Sequence, residues 1–497
     1  MLSGRFCSGK PDACIKAFES HRSLRELIVS VLSSLRLLIS SAIISLPIVS
    51  LAAVSVDTSV AENTQISTHK EVVPPLTTTE PQESPLVNEA SSRPLNIAML
   101  MPADESPFLS AAKIVGNGLI AANRVNNHNA NLMLIEAPEN VNIHELLDAA
   151  VFAGADVVIG PLQKDRVEHL ANAEQLPIPV VTLNYSQLAA QNTASNLIML
   201  SVATDLEAEY IAKLAIQALP QSTSLEHPSK VLVLTTDKAW EKRLSEAYVR
   251  VLQEANIPHE VFTVTLDNLQ ELQDKCRPEL SAEERMKFRR MEIAAGSDKK
   301  ALKEIQNEAK TKMATGEPPF HAALLALDAG TAGLVRSRLP LRTRVWATST
   351  TNPGDPSTSS SSSALAYDLN QVVFAECPLI LRYDAQSFEK KYHIAMPYSM
   401  PARRLFSLGL DAYQVAIDWA KNTKNFQIKG ETGNLTVDRS LGALVERHPS
   451  TYVIHNGTLV DVPTEILVVP GDFPALPSAS EEESQEKTNE PTAEQNN

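Results

Sequence analysis

The sequence predicts an α/β protein in which parallel sheets are flanked by helices and divided between two lobes. Short apolar runs of strand length alternate with longer stretches of helical spacing over residues 95–183, a pattern typical of a parallel sheet covered on both faces. The same alternation restarts after the apolar run at 197–200. The length of 497 residues is several times the roughly 150 residues of a typical domain, so a second lobe is expected.

The first lobe begins with an apolar run over residues 95–101, which predicts a buried strand. Residues 108–127 carry alanine, isoleucine, valine and leucine on one helical face and predict a helix. Further strands are predicted at 131–136, 157–160 and 178–183, and further helices at 143–153 and 165–173. Together they predict one parallel sheet.

The stretch around residue 160 predicts a strand, a tight turn and a helix. An apolar run at 155–159 stops at Gly160 and Pro161, and helical spacing resumes at Asp165. Such a junction fits a phosphate site, a nucleophile elbow, a cleft wall or a plain connection. The turn lacks the Gly-Lys-Ser/Thr of a phosphate-binding loop, and proline removes one amide donor. A phosphate site is therefore disfavoured.

The second lobe repeats the alternation and ends in short strands. Helices are predicted at 205–218 and 239–254, and strands at 231–235, 261–264, 322–327, 344–348, 435–438 and 452–455. Asn456 and Gly457 predict a two-residue hairpin turn into a strand at 458–460. The charged stretch 281–312 is interpreted as a solvated surface helix.

The two ends of the chain differ in composition from the rest. Basic residues precede an apolar run at 37–54 that ends in small residues, so residues 1–54 are interpreted as a secretory signal peptide, with an uncleaved membrane anchor as the alternative. Residues 55–94 are rich in Thr, Ser and Pro and predict a disordered linker. Residues 471–497 predict a disordered acidic tail. No cysteine lies directly after the apolar run, so no lipid-modified terminus is expected there.

Charge and cysteine content exclude some classes of protein. A formal net charge of −15 argues against nucleic-acid binding, which needs a basic face. Four cysteines do not form a disulfide framework, and only Cys276 and Cys377 lie in the body of the chain. These two either pair or stay free.

No sequence motif indicates catalysis, a cofactor or a metal. Gly116-Asn117-Gly118 fits part of a dinucleotide fingerprint, but these glycines fall inside a predicted helix rather than in a strand-to-helix turn. Close helix packing explains them better. The sequence contains no G-x-S-x-G elbow and no H-E-x-x-H or paired C-x-x-C spacing. Catalytic, cofactor-binding and metal-ligating residues are therefore not assigned.

An ordered series of short motifs resembles the penicillin-binding protein activator family, the LppC-type lipoprotein relatives. The series runs through the apolar run at 95–101, the turn Gly160-Pro161-Leu162, 180–184, 322–329, 346–349, 406–413 and 430–438. The likeness covers most of residues 95–469.

The resemblance implies a type I periplasmic-binding-protein-like fold over residues 95–470, with two α/β lobes joined by three crossovers. Lobe one is expected at about 95–203 and 377–428, and lobe two at about 204–376 and 429–470. Strand-end residues are then expected to line the cleft between the lobes: Ser106, Gly160, Pro161, Leu162, Asn184, Asp237 and Thr348. The longer family members carry a helical-repeat domain where this sequence has only the polar stretch 54–93.

The resemblance also implies a function without chemistry of its own. Family members bind class A penicillin-binding proteins, the bifunctional peptidoglycan synthases, and stimulate their crosslinking activity. By this analogy the protein is an exported, non-enzymatic regulator in the periplasm whose partner is such a synthase, and whose only contact with a membrane is the N-terminal segment. The alternative is a periplasmic solute-binding protein that closes on a small ligand such as an amino acid or amide.

Overall fold

The computed structural model describes residues 93–470 except 188–193, 221–228, 315, 355–359, 383 and 422. The predicted signal segment and acidic tail, and almost all of the predicted linker, lie outside these residues. The strands are β1 (Leu95–Pro102), β2 (Ala130–Ala137), β3 (Val157–Ile159), β4 (Val180–Thr182), β5 (Leu197–Met199), β6 (Val231–Thr235), β7 (His259–Thr263), β8 (Ala322–Leu325), β9 (Arg344–Ala347), β10 (Val372–Glu376), β11 (Asn425–Lys429), β12 (Asn434–Asp438), β13 (Glu446–His448), β14 (Ser450–His455) and β15 (Thr458–Asp461).

The helices alternate with these strands along most of the chain. They are α1 (Leu109–Val125), α2 (Ile143–Phe152), α3 (Lys164–Ala171), α4 (Thr204–Gln217), α5 (Ala239–Glu254), α6 (Leu269–Lys275), α7 (Ala282–Ala295), α8 (Lys299–Ala314), α9 (Ala329–Arg336), α10 (Ser360–Asp368), α11 (Pro378–Leu381), α12 (Ala385–Tyr392), α13 (Met400–Ala420) and α14 (Thr464–Leu467), with a 3₁₀ turn at Ser349–Thr351.

The first lobe is built on a five-stranded parallel sheet in the order β2-β1-β3-β4-β5. Successive residues of β1 point to opposite faces of this sheet. Ile97 and Met99 pack with α1 and α13 on one face, and Ala98 and Leu100 pack with α2 and α3 on the other. The predicted α/β lobe with helices on both faces is confirmed.

The second lobe is built on a seven-stranded sheet in the order β15-β14-β10-β9-β8-β6-β7. Strands β6 to β10 are parallel to one another. Strand β14 pairs antiparallel with β10, and β15 pairs antiparallel with β14. The hairpin between β14 and β15 turns at Asn456 and Gly457, whose φ angles are 50° and 79°. The predicted hairpin turn is therefore confirmed, and both residue types suit a positive φ.

The small antiparallel sheet β11-β12-β13 packs on the first lobe. Leu435, Val437 and Val445 belong to the same buried core as Ile97. Leu444 forms an isolated parallel β-bridge with Met199 at the end of β5. We expected the first lobe to end near residue 428, which placed β12 and β13 in the second lobe. These contacts correct that boundary. The chain instead enters the second lobe after Pro449, because β14 pairs with β10.

Helices α1 and α13 touch backbone to backbone. A Cβ atom added at Gly118 would lie 2.2 Å from the carbonyl oxygen of Phe406, and one added at Gly409 would lie 2.0 Å from that of Val115. Only glycine permits this approach. The Gly116-Asn117-Gly118 stretch therefore serves close helix packing, as expected.

Residues 281–312, expected to be one solvated helix, form two. Helices α7 and α8 pack against each other, and we call them the helical hairpin. Between residues 282 and 313, Phe288 and Ile305 are the buried apolar residues. Ser281 caps α7 by accepting a hydrogen bond from the Glu284 amide, and Glu284 bonds back to the Ser281 amide.

Candidate functional site

The expected cleft residues of the first lobe follow β1, β3 and β4. The turn after β3 contains a cis Gly160-Pro161 peptide, and Gly160 has a φ of 106°. The Gly160 amide donates to the Val181 carbonyl at 2.8 Å, and the Pro161 carbonyl accepts from the Leu183 amide at 3.0 Å. These bonds continue the β3–β4 pairing, so the turn forms part of the sheet edge.

Asn184 joins the loops that follow β3 and β4. Its side-chain amide donates to the Leu162 carbonyl at 3.1 Å, and its oxygen accepts from the Tyr185 amide at 2.9 Å. Ser106, in the loop after β1, donates to a Glu139 carboxylate oxygen at 2.9 Å. The polar groups of both residues thus hold loops in place.

The expected cleft residues of the second lobe have opposite environments. The side chain of Thr348 has no exposed surface, and its hydroxyl bonds that of Thr350 at 2.8 Å. The side chain of Asp237 is 81% exposed and forms an ion pair with Lys242 at 2.9 Å. The Asp237 side chain is therefore accessible to solvent, whereas the Thr348 side chain is not.

A cavity of about 480 Å³ lies beside Asp237 at the carboxyl edge of the second sheet. Its walls are mostly apolar and include Val264, Leu266, Leu269 and Leu334. Leu266 is 78% exposed, so the cavity opens to solvent.

Two buried ion pairs between the lobes were not anticipated from the sequence. Arg404 of α13 binds Glu376 at the end of β10 through two bonds of 2.9 and 2.6 Å, and the two side chains are 13% and 0% exposed. The Glu376 carboxylate also accepts from Asn352 at 2.8 Å and from the Cys377 amide at 2.9 Å. Burial by itself lowers the pKa of Arg404. The charge and hydrogen bonds of Glu376 raise that pKa by more than burial lowers it, so the net shift is upward.

The second pair joins Arg447 of β13 to Glu207 of α4. Their nitrogen and oxygen lie 3.3 Å apart, and the side chains are 6% and 2% exposed. Arg447 also donates to the Thr432 carbonyl at 3.0 Å. Burial raises the pKa of Glu207, and the opposing effect of Arg447 only reduces the shift.

Ser349 connects the two pairs. Its amide donates to Glu207, and its carbonyl accepts from Arg404 at 2.8 Å. Since Arg404 and Arg447 lie in the first lobe and the two glutamates in the second, these groups form one buried network across the lobes. We call it the crossover network, because Glu376 and Arg447 adjoin the second and third crossovers and Glu207 opens the helix after the first.

Asp411 of α13 anchors a turn beside this network. Its carboxylate accepts from the Glu431 amide at 2.6 Å, the Thr432 amide at 2.8 Å and the Thr432 hydroxyl at 2.6 Å. A Cβ at Gly430 would lie 2.6 Å from that carboxylate, so glycine is required there. Burial raises the pKa of Asp411 to about 6, although these hydrogen bonds oppose the shift.

Among the described residues, no three His, Cys, Asp or Glu side chains lie close enough together to hold a metal ion. Cys276 and Cys377 are both free and buried. Within the described ranges, no helix combines the length and apolar character that crossing a membrane requires.

Solved structures share this fold over most of the chain. A protein described as a "putative branched-chain amino acid ABC transporter" from Chromobacterium violaceum is 24% identical, with a TM-score of 0.51, over 72% of this chain and 99% of that one. The C-domain of LpoA from Haemophilus influenzae, described as a regulator of PBP1A, is 16% identical, with a TM-score of 0.51, over 74% of this chain and all of that one. The match to full-length LpoA, at 16% identity and a TM-score of 0.53, spans 76% of this chain and 60% of that one.

These likenesses confirm the expected two-lobed fold of the periplasmic-binding-protein type. None of the curated proteins matches the sequence significantly. A family model described as "LppC putative lipoprotein" matches residues 78–456. Because that match spans most of the sequence, the chain belongs to the LppC family.

Proposed function

We propose that the protein is a non-enzymatic regulator of the cell envelope that binds a class A penicillin-binding protein and stimulates it in peptidoglycan synthesis. Membership of the LppC family supports this proposal. So does the full coverage of the LpoA C-domain, a regulator of PBP1A. The partner recognises a folded surface, and the protein contributes no reaction of its own.

The crossover network is the observation that carries the proposal. A rotation of the lobes that separated Arg404 from Glu376, or Arg447 from Glu207, would leave a buried charge without its partner. Removing one partner of a buried pair costs about 3–5 kcal/mol, which indicates how strongly each partner depends on the other. A protein that closes on a solute needs its lobes to move, whereas a docking protein needs them held in one arrangement. The buried pairs favour docking.

The proposal also assigns a location. The apolar run at 37–54 exports the chain or anchors it, and the folded lobes lie in the periplasm. There they reach the synthase, whose polymerising and crosslinking domains face the same compartment.

The test titrates the full-length protein into a purified class A penicillin-binding protein from the same cell. Glycan polymerisation and peptide crosslinking are followed together with binding. Saturable binding that accelerates crosslinking supports the proposal. Absence of binding up to high micromolar concentration rejects it.

A second candidate function is solute binding, which the 480 Å³ cavity beside Asp237 favours. Thermal unfolding with a panel of amino acids and amides tests it, since a ligand at one hundred times its dissociation constant stabilises the protein by about 2.7 kcal/mol. Leu266→Arg places a charged side chain in this cavity, and Leu441→Arg makes the same change at a residue of the first lobe that is equally exposed. Solute binding predicts that only the first substitution removes ligand stabilisation. The docking proposal predicts that synthase stimulation survives both.

A further inference from the structure

The outward face of the helical hairpin carries two large apolar side chains that no described element covers. Helical spacing places Phe288, which is buried, on the same face of α7 as the half-buried Glu284 and Met291. Met286 and Ile293 lie on the opposite face, one heptad apart, and are 56% and 73% exposed. Packing of the lobe does not account for two large apolar side chains in this position.

The hairpin is also basic in an acidic protein. Residues 282–314 contain nine Lys and Arg against six Asp and Glu, whereas the whole chain carries −15. Lys287 pairs with Glu308 at 3.7 Å and Lys312 with Glu284 at 3.4 Å, which ties α7 to α8. Another six cations have no ion pair among the described residues: Arg289, Arg290, Lys299, Lys300, Lys303 and Lys310. The outward face therefore suits a ligand that is both acidic and partly apolar.

Residues 471–497 of the same chain have this composition. They contain seven Asp and Glu against one Lys, and Phe473 and Leu476 supply apolar side chains near their start. Opposite charges attract this segment to the hairpin, while the acidic remainder of the chain repels it.

The last described residues contact the first residue of β9. The Val469 carbonyl accepts from the Arg344 side chain at 2.8 Å, and the Arg344 amide donates to the His321 carbonyl at 3.0 Å. His321 immediately precedes β8, into which the hairpin leads. A chain of 27 residues spans at most about 90 Å, whereas the 14 residues of α7 extend about 21 Å. The segment as a whole is therefore longer than the outward face of α7.

We propose that residues 471–497 bind in cis to the outward face of the helical hairpin. The apolar side chains near the start of this segment cover the exposed apolar residues of that face, and its glutamates pair with the arginines and lysines that have no ion pair among the described residues. This interaction is independent of the proposed function, and it keeps a basic, apolar surface covered within a single molecule.

Zero-length carbodiimide crosslinking of the full-length protein, with peptide mapping by mass spectrometry, tests the proposal. An equal mixture of ¹⁴N- and ¹⁵N-labelled protein separates bonds within one chain from bonds between two. We expect bonds from Glu481, Glu482 and Glu483 to Lys299, Lys300, Lys303 or Lys310, within one isotope class. Their yield should exceed that to exposed lysines elsewhere, such as Lys113 and Lys164, at least three-fold. It should fall at 0.5 M NaCl because salt screens exposed charges.

The variant Arg289→Ser, Arg290→Ser and Ile293→Ser changes the docking face but keeps every reactive lysine. All three residues are exposed, so the fold is retained, which circular dichroism checks. The yield to the hairpin lysines should drop at least three-fold in this variant. An unchanged yield, bonds of mixed isotope class, or no preference for the hairpin lysines would each overturn the proposal, mixed bonds by making a second copy the occupant.

Discussion

The Arg404 guanidinium of the first lobe donates two hydrogen bonds, of 2.9 and 2.6 Å, to the Glu376 carboxylate of the second lobe, and both groups are almost fully buried. The contact adjoins Cys377, where the chain crosses between lobes. It therefore fixes the lobes at the point about which they would otherwise turn. This relationship yields the first prediction.

Replacing Arg404 with Met should lower the free energy of unfolding by about 3–5 kcal/mol, because the Glu376 carboxylate is left in a buried site without its partner. Urea unfolding followed by circular dichroism measures the loss. Arg277→Met is the matched control, since Arg277 and its partner Asp274 are each 52% exposed and such a pair contributes about 1 kcal/mol or less. Equal losses in the two variants would mean that the buried pair contributes no more to the free energy of unfolding than the exposed pair does. The double variant Arg404→Met, Glu376→Gln should recover part of the loss.

The contact of α1 with α13 yields the second prediction. Gly118→Ala should lower the free energy of unfolding by about 2–3 kcal/mol, since the added carbon meets the Phe406 carbonyl and the helices must separate. Gly330→Ala is the control in another helix, where the nearest atom is an Asp328 oxygen at 3.5 Å. That change should be neutral or should stabilise by up to about 1 kcal/mol. Similar losses for both glycines would contradict the close approach.

The sequence predicts the features of this fold that depend on neighbouring residues. The strand at 95–101, the turn at Gly160 and Pro161 and the hairpin at Asn456 and Gly457 all follow from apolar runs that stop at turn-forming residues. Each pattern is local, so a few residues suffice to predict it. The lobe to which a strand belongs is harder to predict from the sequence, as β11–β13 show. The sequence predicts one of these three strands, at 435–438, but only contacts with Ile97 and its neighbours assign the small sheet to the first lobe.

The crossover network depends on residues far apart in the sequence. Glu207 and Arg447 are 240 positions apart, and a charged residue in a sequence normally indicates exposure. Glu376 ends the strand at Val372–Glu376, which the sequence analysis did not predict. Thr348 shows the converse case, because a hydroxyl at a strand end suggests an exposed group while this side chain is buried. Pairing and burial of this kind follow from the tertiary fold alone.

The third prediction concerns the two cysteines of the folded part, for which the sequence left pairing open. Cys276 and Cys377 are free, and only 2% and 1% exposed. Burial raises the pKa of the Cys276 thiol to about 12 and shifts that of Cys377 upward as well. Neither thiol forms the reactive thiolate near neutral pH.

A variant with Cys7→Ser and Cys14→Ser isolates these two thiols. Without reductant, a thiol reagent such as Ellman's should react with neither in the native protein and with both in guanidinium chloride. A denatured protein with no reactive thiol would demonstrate a disulfide. Rapid labelling of the native protein would contradict the burial.

The fourth prediction concerns Asp411 and pH. Burial raises its pKa to about 6 in the folded protein, whereas an unfolded aspartate titrates near pH 3.9. The folded state therefore binds the proton more tightly, so this group stabilises the fold below about pH 4 and loses that contribution as the pH rises through about 6. Relative to Asp411→Asn, wild-type protein should lose roughly 2–3 kcal/mol of stability between pH 4 and pH 7.

Urea unfolding of both proteins at pH 4, 5, 6 and 7 measures this difference, because all other titrating groups are shared. Asp384→Asn provides a control of opposite sign. The hydrogen bonds from Ser387 lower the pKa of Asp384, so the advantage of wild type over that variant should rise slightly just above pH 4 and then stay level, because it is lost only below about pH 4. For Asp411→Asn the free energy of unfolding of wild type minus that of the variant should instead fall steadily. A difference that rises with pH would show that the three hydrogen bonds from Glu431 and Thr432 outweigh the burial of the carboxylate.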